Sequence, residues 1–171
     1  MIFGIDPGPV ESAFAVVHKF PRPYEILVAG KLPNEDLIRE LKNPILEWGV
    51  FDVVVESIQS YGFVVGKSVF ETCYMIGRII QVCKDKSLQC NLYPRPEYAR
   101  AIVGGQKVTD SLLRLALMNR FGGDKKGEPL NQLRGNPDKR SAFAVAVYHL
   151  DRMKWEREKK QGELLEPAPP L

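Results

Sequence analysis

Three acidic residues, far apart in the chain, each stand where an apolar segment begins or ends. Asp6 follows a short apolar run and precedes a Pro-Gly pair, which favours a tight turn. Glu56 ends a run of three valines, and Asp138 follows an Asn-Pro pair that is typical of a helix start. A charge beside a sheet interior is costly unless it is paired or bound to a cation. The pattern therefore indicates a metal-dependent hydrolytic site.

Each acid also has an ordinary interpretation. Asp6 would cap a turn, Glu56 would mark the exit of a strand into solvent, and Asp138 would stabilise the positive end of a helix. The residues taken singly leave both interpretations open. If the strands before Asp6 and Glu56 are neighbours, the two acids lie at the same end of the sheet, and the set then becomes more informative than any member.

Composition predicts one globular domain. The chain has 171 residues, of which 44% are hydrophobic, and this is enough for a sizeable core. The formal charge of +3 permits nucleic-acid binding without arguing for it strongly. We expect a single domain over residues 1–160. The Pro-rich end, residues 161–171, is expected to be a disordered tail.

The cysteines and the apolar runs bear on the cellular compartment. Cys73, Cys83 and Cys90 are odd in number and form no C-x-x-C pair, which favours neither a disulfide framework nor a zinc site. No apolar run approaches the length of a membrane span, and no signal peptide is recognisable. We therefore expect a cytoplasmic protein without a membrane partner.

The spacing of apolar residues predicts a mixed α/β fold. The turn after Asp6 predicts an antiparallel hairpin, whereas the strand-helix-strand unit over 51–93 predicts two parallel strands. The predicted strands are 1–6, 11–19, 24–31, 51–56 and 88–93, and the predicted helices begin at 34 or span 67–85, 96–103, 109–121 and 137–160.

The ordered motifs resemble a known family. They are Gly-Ile-Asp-Pro-Gly at 4–8, an apolar strand ending in Glu56, and a late helix that opens with Asp138 and continues Ala-x-Ala-Val-Ala. This set resembles the RuvC-type Holliday junction resolvases of the RNase H-like superfamily, in particular their phage and prophage relatives. The first motif also occurs in actin-like ATPases, but those proteins need two such lobes. The resemblance covers most of residues 1–150.

That resemblance implies a fold and an activity. The fold would be α/β and RNase H-like, with a five-stranded mixed sheet flanked by helices. The protein would be a dimeric, metal-dependent endonuclease that cuts four-way DNA junctions by paired symmetric nicks. The open alternatives are an RNase H-like nuclease for other branched DNA or RNA, and a catalytically weak junction-binding protein.

The resemblance also assigns roles to the acids. Asp6, Glu56 and Asp138 match the acidic positions of the family and would hold two Mg²⁺ ions, with Mn²⁺ as the alternative metal. The expected bridging ligand is Asp6. A fourth acid is usual in bacterial members, and that position is Ser141 here. Asp110 is a candidate for a supporting role, although its ordinary interpretation is that of an acid in the first turn of a helix.

DNA binding would depend on basic and aromatic residues near these acids in the sequence. Lysines in loops are more often simply solvated, and Tyr61 and Phe63, which could stack on unpaired bases, could equally pack beneath their own loop. The predicted basic residues are Lys107, which resembles a basic residue of the bacterial family, and Lys125, Lys126, Arg134, Lys139 and Arg140.

The predicted helix over 67–85 is apolar on more than one face. Such a helix is covered on both sides, which indicates the sheet on one side and a second copy of the chain on the other. Gly77 would allow close approach of the two copies. Burial of the whole helix within one domain is the competing explanation.

Overall fold

The structure is a computed structural model, and it describes residues 1–18, 24–42, 49, 52–59, 62, 64–105 and 107–165. Three strands come first, strands and helices alternate in the middle of the chain, and helices complete it. The strands are β1 (Ile2–Asp6), β2 (Glu11–His18), β3 (Glu25–Pro33), β4 (Asp52–Ser57) and β5 (Gln89–Pro94), and the helices are α1 (Asn34–Lys42), α2 (Lys67–Asp85), α3 (Arg95–Val103), α4 (Asp110–Phe121), a short 3₁₀ helix (Asn131–Leu133) and α5 (Pro137–Leu165).

Within the described residues, five strands form one mixed sheet in the order β3-β2-β1-β4-β5. β2 runs antiparallel to both β1 and β3, whereas β4 runs parallel to both β1 and β5. The predicted hairpin and the predicted parallel pair are both confirmed. So is the predicted α/β class with a mixed sheet flanked by helices.

Two hydrophobic layers cover the sheet, because side chains alternate between the two faces of each strand. On one face, Ile2 and Val54 pack in a core that includes residues of α3, α4 and α5. On the other face, Phe3, Ile5 and Val55 pack with residues of α1 and α2. The sheet is therefore buried on both sides, and its strand ends are the places where polar groups can reach solvent.

Helix α5 lies unusually close to β1. All six residues from Ala142 to Val147 are buried, which is typical of a helix in the core of a protein. Gly4 makes the close approach possible, since a Cβ atom there would lie 2.1 Å from the carbonyl oxygen of Ala142. The alanine-rich segment of α5 therefore packs directly on the sheet.

The turn after β1 is held by side chains rather than by backbone bonds alone. Asn34, a residue type that is common at helix starts, is the first residue of α1, and its side-chain amide donates to the Gly8 carbonyl oxygen at 3.0 Å. The Ser12 hydroxyl donates to the Asn34 side-chain oxygen at 2.7 Å and also accepts from the Gly8 amide at 3.3 Å. These contacts fix the chain immediately after Asp6.

The last helix is longer than predicted. It continues to Leu165 instead of ending near residue 160, because Glu, Lys and Arg have high helix propensity and pair at the i,i+4 spacing, as Arg152 does with Glu156. Residues 166–171 of the predicted tail lie outside the described residues, so the domain and tail boundaries stay predictions. Within the described segments, every helix is too short or too polar to cross a lipid bilayer.

Candidate active site

Two of the predicted acids lie side by side at one end of the sheet. β1 and β4 are parallel neighbours, and Ile5 pairs with Val55, so Asp6 and Glu56 are the next residues along each strand. The Glu56 side chain is only 16% exposed. The carboxyl ends of parallel strands meet at one edge of a sheet, which is why two residues with 49 others between them converge.

The third acid comes from α5. The predicted cap is confirmed, since the Asn136 side-chain oxygen accepts from the Lys139 amide at 3.1 Å and holds the first turn of the helix. Close packing of this helix on β1 carries Asp138 toward the same end of the sheet. Asp138 raises the pKa of Asp6 electrostatically, as expected for neighbouring carboxylates.

The pKa of Asp6 is strongly shifted by its surroundings. Its pKa is raised to about 8, first by burial and then by the nearby Glu56 and Asp138, while Arg95 and Lys31 act in the opposite direction. The pKa of Glu56 is also raised, chiefly by burial. Carboxylates in such a poorly solvated group repel one another, and a bound cation would relieve that repulsion.

Two basic residues that we did not predict belong to this site. Lys31 donates to the Asp138 carboxylate at 3.0 Å. Arg95 lies beside Glu56, with a guanidinium nitrogen 3.9 Å from its carboxylate, and also contacts Asp110. The acidic group is thus flanked by a cation on each side.

The pairing of the strands explains why both basic residues lie beside the acids. Asp6 pairs with Ala13, and Ala13 pairs with Lys31, so the acid and the lysine lie in one row across three strands. Arg95 directly follows β5, which runs parallel to β4, so it arrives at the same sheet edge as Glu56. Because residues at the carboxyl ends of parallel strands meet at one edge, Arg95 could have been predicted from its position at the end of β5.

Hydrogen bonds orient the remaining polar groups. The Tyr98 hydroxyl donates to Glu56 at 2.7 Å, and Tyr98 itself is fully buried. Ser141, at the position expected for a fourth acid, is 1% exposed and accepts from Arg95 at 2.6 Å. Asp110 follows Thr109, whose hydroxyl caps α4 through the Leu112 amide at 3.2 Å. Asp110 is therefore both a first-turn acid and a partner of Arg95.

The carboxylates suit a divalent metal in their chemistry but are not yet arranged around one. Carboxylate oxygens are the ligands that Mg²⁺ and Mn²⁺ prefer. Over the described part of the chain, no three carboxylate, histidine or cysteine side chains already converge as metal ligands. Instead, Lys31 holds Asp138 and Tyr98 holds Glu56. Binding of a metal would exchange these contacts for coordination.

The predicted DNA-binding residues fall into three groups. Lys107, Lys125, Lys126 and Arg134 are exposed. Lys139 and Arg140 are half-buried and donate to backbone carbonyl oxygens of Gln132 and Leu133, which ties α5 to the 3₁₀ helix. Tyr61 and Phe63 lie outside the described residues.

Two clefts adjoin the acids. The larger, of about 460 Å³, lies where α3, α4 and α5 begin, and the smaller, of about 230 Å³, lies at the ends of β1 and β4. Asp138 and Ser141 line the first cleft, Asp6 and Glu56 line the second, and Arg95 borders both.

Comparison with solved structures identifies the fold. Thermus thermophilus RuvC matches with a TM-score of 0.69 and 17% identity, over 91% of this chain and 96% of that chain. The same protein in complex with its Holliday junction substrate matches with a TM-score of 0.71 and 13% identity, over 91% and 95%. This chain has the RuvC-type fold. The predicted RNase H-like architecture is thereby confirmed.

Two resolvases from other sources have the same fold. Fowlpox virus resolvase in complex with Holliday junction DNA matches with a TM-score of 0.58 and 13% identity, over 89% of this chain and 99% of that chain. The yeast mitochondrial Holliday junction resolvase Ydc2 matches with a TM-score of 0.60 and 12% identity, over 94% and 83%. No protein-family model matches the sequence. No curated protein matches it.

Proposed function

We propose that this protein is a metal-dependent endonuclease that resolves four-way DNA junctions by paired symmetric nicks. The observation that carries the proposal is the meeting of Asp6, Glu56 and Asp138 at one sheet end, in a fold otherwise found in Holliday junction resolvases. Carboxylates at a sheet end suit phosphodiester hydrolysis, because the reaction needs cations to balance charge that develops on phosphate oxygens.

Metal binding is assigned to the three acids. Asp6, whose pKa is raised by both other acids, would bridge two Mg²⁺ ions, and Glu56 and Asp138 would each hold one, with Mn²⁺ as the alternative metal. When bound, the ions would supply charge stabilisation and lower the pKa of an attacking water. Before they bind, Lys31 and Arg95 partly neutralise the acids.

The chain's own residues would orient the site. Tyr98 sets the rotamer of Glu56 through its hydroxyl, and Asn136 fixes the helix turn that carries Asp138. The hydrogen bonds of Asn34 and Ser12 hold the backbone after Asp6. Because positioning within fractions of an ångström governs rate, these supporting contacts would affect turnover without touching DNA.

DNA would be held by a basic rim around the clefts. Exposed lysines and arginines contact phosphates and set affinity and its dependence on salt. Lys139 and Arg140 are partly engaged with backbone carbonyl oxygens, so the exposed members are the stronger candidates. The proposed rim consists of Lys107, Lys125, Lys126, Arg134, Lys139 and Arg140, and Tyr61 and Phe63 would stack on bases.

A homodimer would supply two such sites. Met75 and Ile79 of α2 are buried against the sheet, but Phe70 is 50% exposed and Tyr74 is 70% exposed. The competing explanation, burial of the whole helix in one domain, is therefore wrong. A Cβ atom at Gly77 would meet nothing within 4 Å, so the exposed face is open at its centre. We assign this face to a second copy of the chain.

The cytoplasm is the compartment that we propose. Cys73, Cys83 and Cys90 are all free thiols, which suits a reducing environment. A measurement of subcellular distribution in a producing cell would test this assignment.

A second candidate is a junction-binding protein with weak catalysis. Ser141 accepts a hydrogen bond from Arg95 where a fourth carboxylate was expected, which favours a weaker metal site. In this case the protein would bind four-way junctions tightly without cutting them.

One experiment separates these functions. Purified protein is incubated with a labelled four-way junction, a linear duplex and an RNA-DNA hybrid, with and without Mg²⁺ or Mn²⁺. Symmetric nicks in the junction alone, and only with metal, would support the resolvase. Cleavage of the hybrid would instead favour another RNase H-like activity, and tight junction binding without cuts would favour the binding protein.

A further inference from the structure

Arg95 occupies a singular position in the site, because it borders both clefts. It is the first residue of α3 and follows β5 directly, so rigid elements fix its backbone on both sides. Its side chain is 35% exposed. The guanidinium of Arg95 would therefore lie beside a polymer chain that passes from one cleft to the other.

Its contacts hold the guanidinium but do not saturate it. One terminal nitrogen donates to Ser141 at 2.6 Å and to the Tyr98 hydroxyl at 3.5 Å, and the other donates to Asp110. A guanidinium carries five N–H donors in a fixed plane. With three hydrogen bonds made within the described residues, donors remain for a ligand.

The two main partners differ in how easily they can release the guanidinium. Ser141 is buried and cannot turn to solvent, so it acts as a fixed anchor. The Asp110 side chain is 58% exposed and can exchange its contact with Arg95 for water. An incoming anion can therefore replace Asp110 while Ser141 keeps the orientation.

We propose that Arg95 binds a backbone phosphate of the DNA strand that crosses from one cleft to the other past the three acids. This inference rests on the proposed function and adds a phosphate-binding residue to it. Arginine suits the role because its planar fork matches two phosphate oxygens at once. The competing explanation is that Arg95 only neutralises Glu56 and Asp110 in the folded protein.

The dependence of DNA binding on salt tests the proposal. Full-length wild type, Arg95→Met and Arg95→Lys are titrated onto a labelled four-way junction in EDTA, between about 50 and 200 mM NaCl. Arg95→Met is expected to weaken binding roughly tenfold, the value of one charge-assisted hydrogen-bonded contact. The slope of log K against log salt, which is negative, should become shallower by about 0.9, the value for one lost phosphate contact.

Arg95→Lys keeps the charge and covers the case in which Arg95→Met does not fold. It should retain the slope yet bind a few-fold more weakly, because lysine cannot present the bidentate fork. Arg100→Met is the matched control, since Arg100 is exposed on the same helix and borders neither cleft.

The outcomes separate this inference from the proposed function. An unchanged slope in Arg95→Met, or an equal loss in Arg100→Met, overturns the role of Arg95 even if the wild type cuts junctions with Mg²⁺. Full wild-type affinity in Arg95→Lys overturns the bidentate contact. Absence of any junction binding by the wild type overturns both. A slope change confined to Arg95→Met supports the inference.

Discussion

At the scale of single residues, the acids of the site lower the stability of the metal-free fold. Asp6 is half-buried beside Glu56 and Asp138, and its raised pKa of about 8 reflects the cost of a carboxylate in that position. Lys31 and Arg95 offset only part of this cost. Local conflicts of this kind are expected at functional sites, where a ligand supplies the missing partner.

The first prediction concerns Asp6→Asn. The amide keeps the shape of the side chain but removes the charge that would bridge the metal ions. Cleavage should fall by about a thousandfold or more, because several kcal/mol of transition-state stabilisation depend on the metal. Junction affinity should change little. The checks are the cleavage rate and the dissociation constant, measured on the same labelled junction.

Metal binding by this variant can be measured without any reaction. Mg²⁺ should raise the melting temperature of the wild type through preferential binding to the folded state, and it should do so less in Asp6→Asn. Asp36→Asn is the control, since Asp36 is an exposed acid of α1 paired with Arg39 at 2.7 Å. Full cleavage by Asp6→Asn would remove this residue from the site.

At the scale of elements, the site depends on how closely α5 approaches β1. The approach is set by Gly4, whose position leaves no room for a side chain beneath the carbonyl oxygen of Ala142. Asp138 lies one turn before Ala142, so a shift of the helix moves the third acid. Stability and catalysis are thus coupled through one backbone contact.

The second prediction is that Gly4→Ala destabilises the protein by about 1–3 kcal/mol, the usual cost of overpacking a core. It should also lower the cleavage rate, because α5 and Asp138 are displaced. Gly105→Ala is the control, since Gly105 is exposed and nothing lies within 4 Å of its added Cβ. At such a position the free energy of unfolding should change by less than about 0.5 kcal/mol. Urea denaturation measures both, and equal effects would contradict close packing at Gly4.

A buried histidine of α5, away from the acids, makes the stability of the fold depend on pH. His149 is buried, its Nδ1 lies 2.9 Å from the Tyr93 hydroxyl, and its Nε2 has no hydrogen-bond partner among the described residues. Burial lowers the pKa of His149, Asp52 acts against this, Arg152 adds to it and Glu156 opposes it. The folded state therefore binds this proton less readily than the unfolded chain does.

The third prediction follows from that difference. The His149 contribution to the free energy of unfolding should fall as pH drops below about 6.5, the pKa of histidine in an unfolded chain, whereas protonation of Asp6 in the folded state acts in the opposite direction. His149→Gln retains an acceptor for Tyr93 and should reduce this loss. Urea denaturation at about pH 7.5 and about pH 5.5 brackets the histidine pKa. Asp6 contributes equally to both proteins, so the difference between them isolates His149, and the same pH dependence in both would contradict its role.

The sequence was sufficient for some of these elements and insufficient for others. Asp6 and Glu56 could be placed together only on the condition that their strands are neighbours, and the structure meets that condition. Lys31 could not, since its row across the sheet depends on register between three strands, which apolar spacing does not define. The role of Asn34 was missed for a related reason, because a local cap pattern says nothing about contacts with a distant turn.

At the scale of the whole molecule, resolution of a four-way junction requires cuts in two of its strands, and one chain has one site. Two-fold symmetry would place two copies of the site on opposed strands. Phe70, Cys73 and Tyr74 are exposed on the face of α2 that points away from the sheet. Clusters of large apolar side chains on the surface of a soluble protein often mark an interface.

The fourth prediction is that the protein is a dimer at micromolar concentration and that Tyr74→Lys makes it monomeric. The lysine would bring an unpaired charge into the apolar interface, and the cost of burying it opposes association. Leu115→Glu, an equally drastic change at an exposed position of α4, should leave the dimer intact. Sedimentation equilibrium measures both. The monomeric variant should still bind Mg²⁺, because the three acids come from one chain, but its paired nicks should lose their symmetry. A wild type that sediments only as a monomer would remove α2 as the interface and leave simultaneous cleavage of both strands without a structural basis.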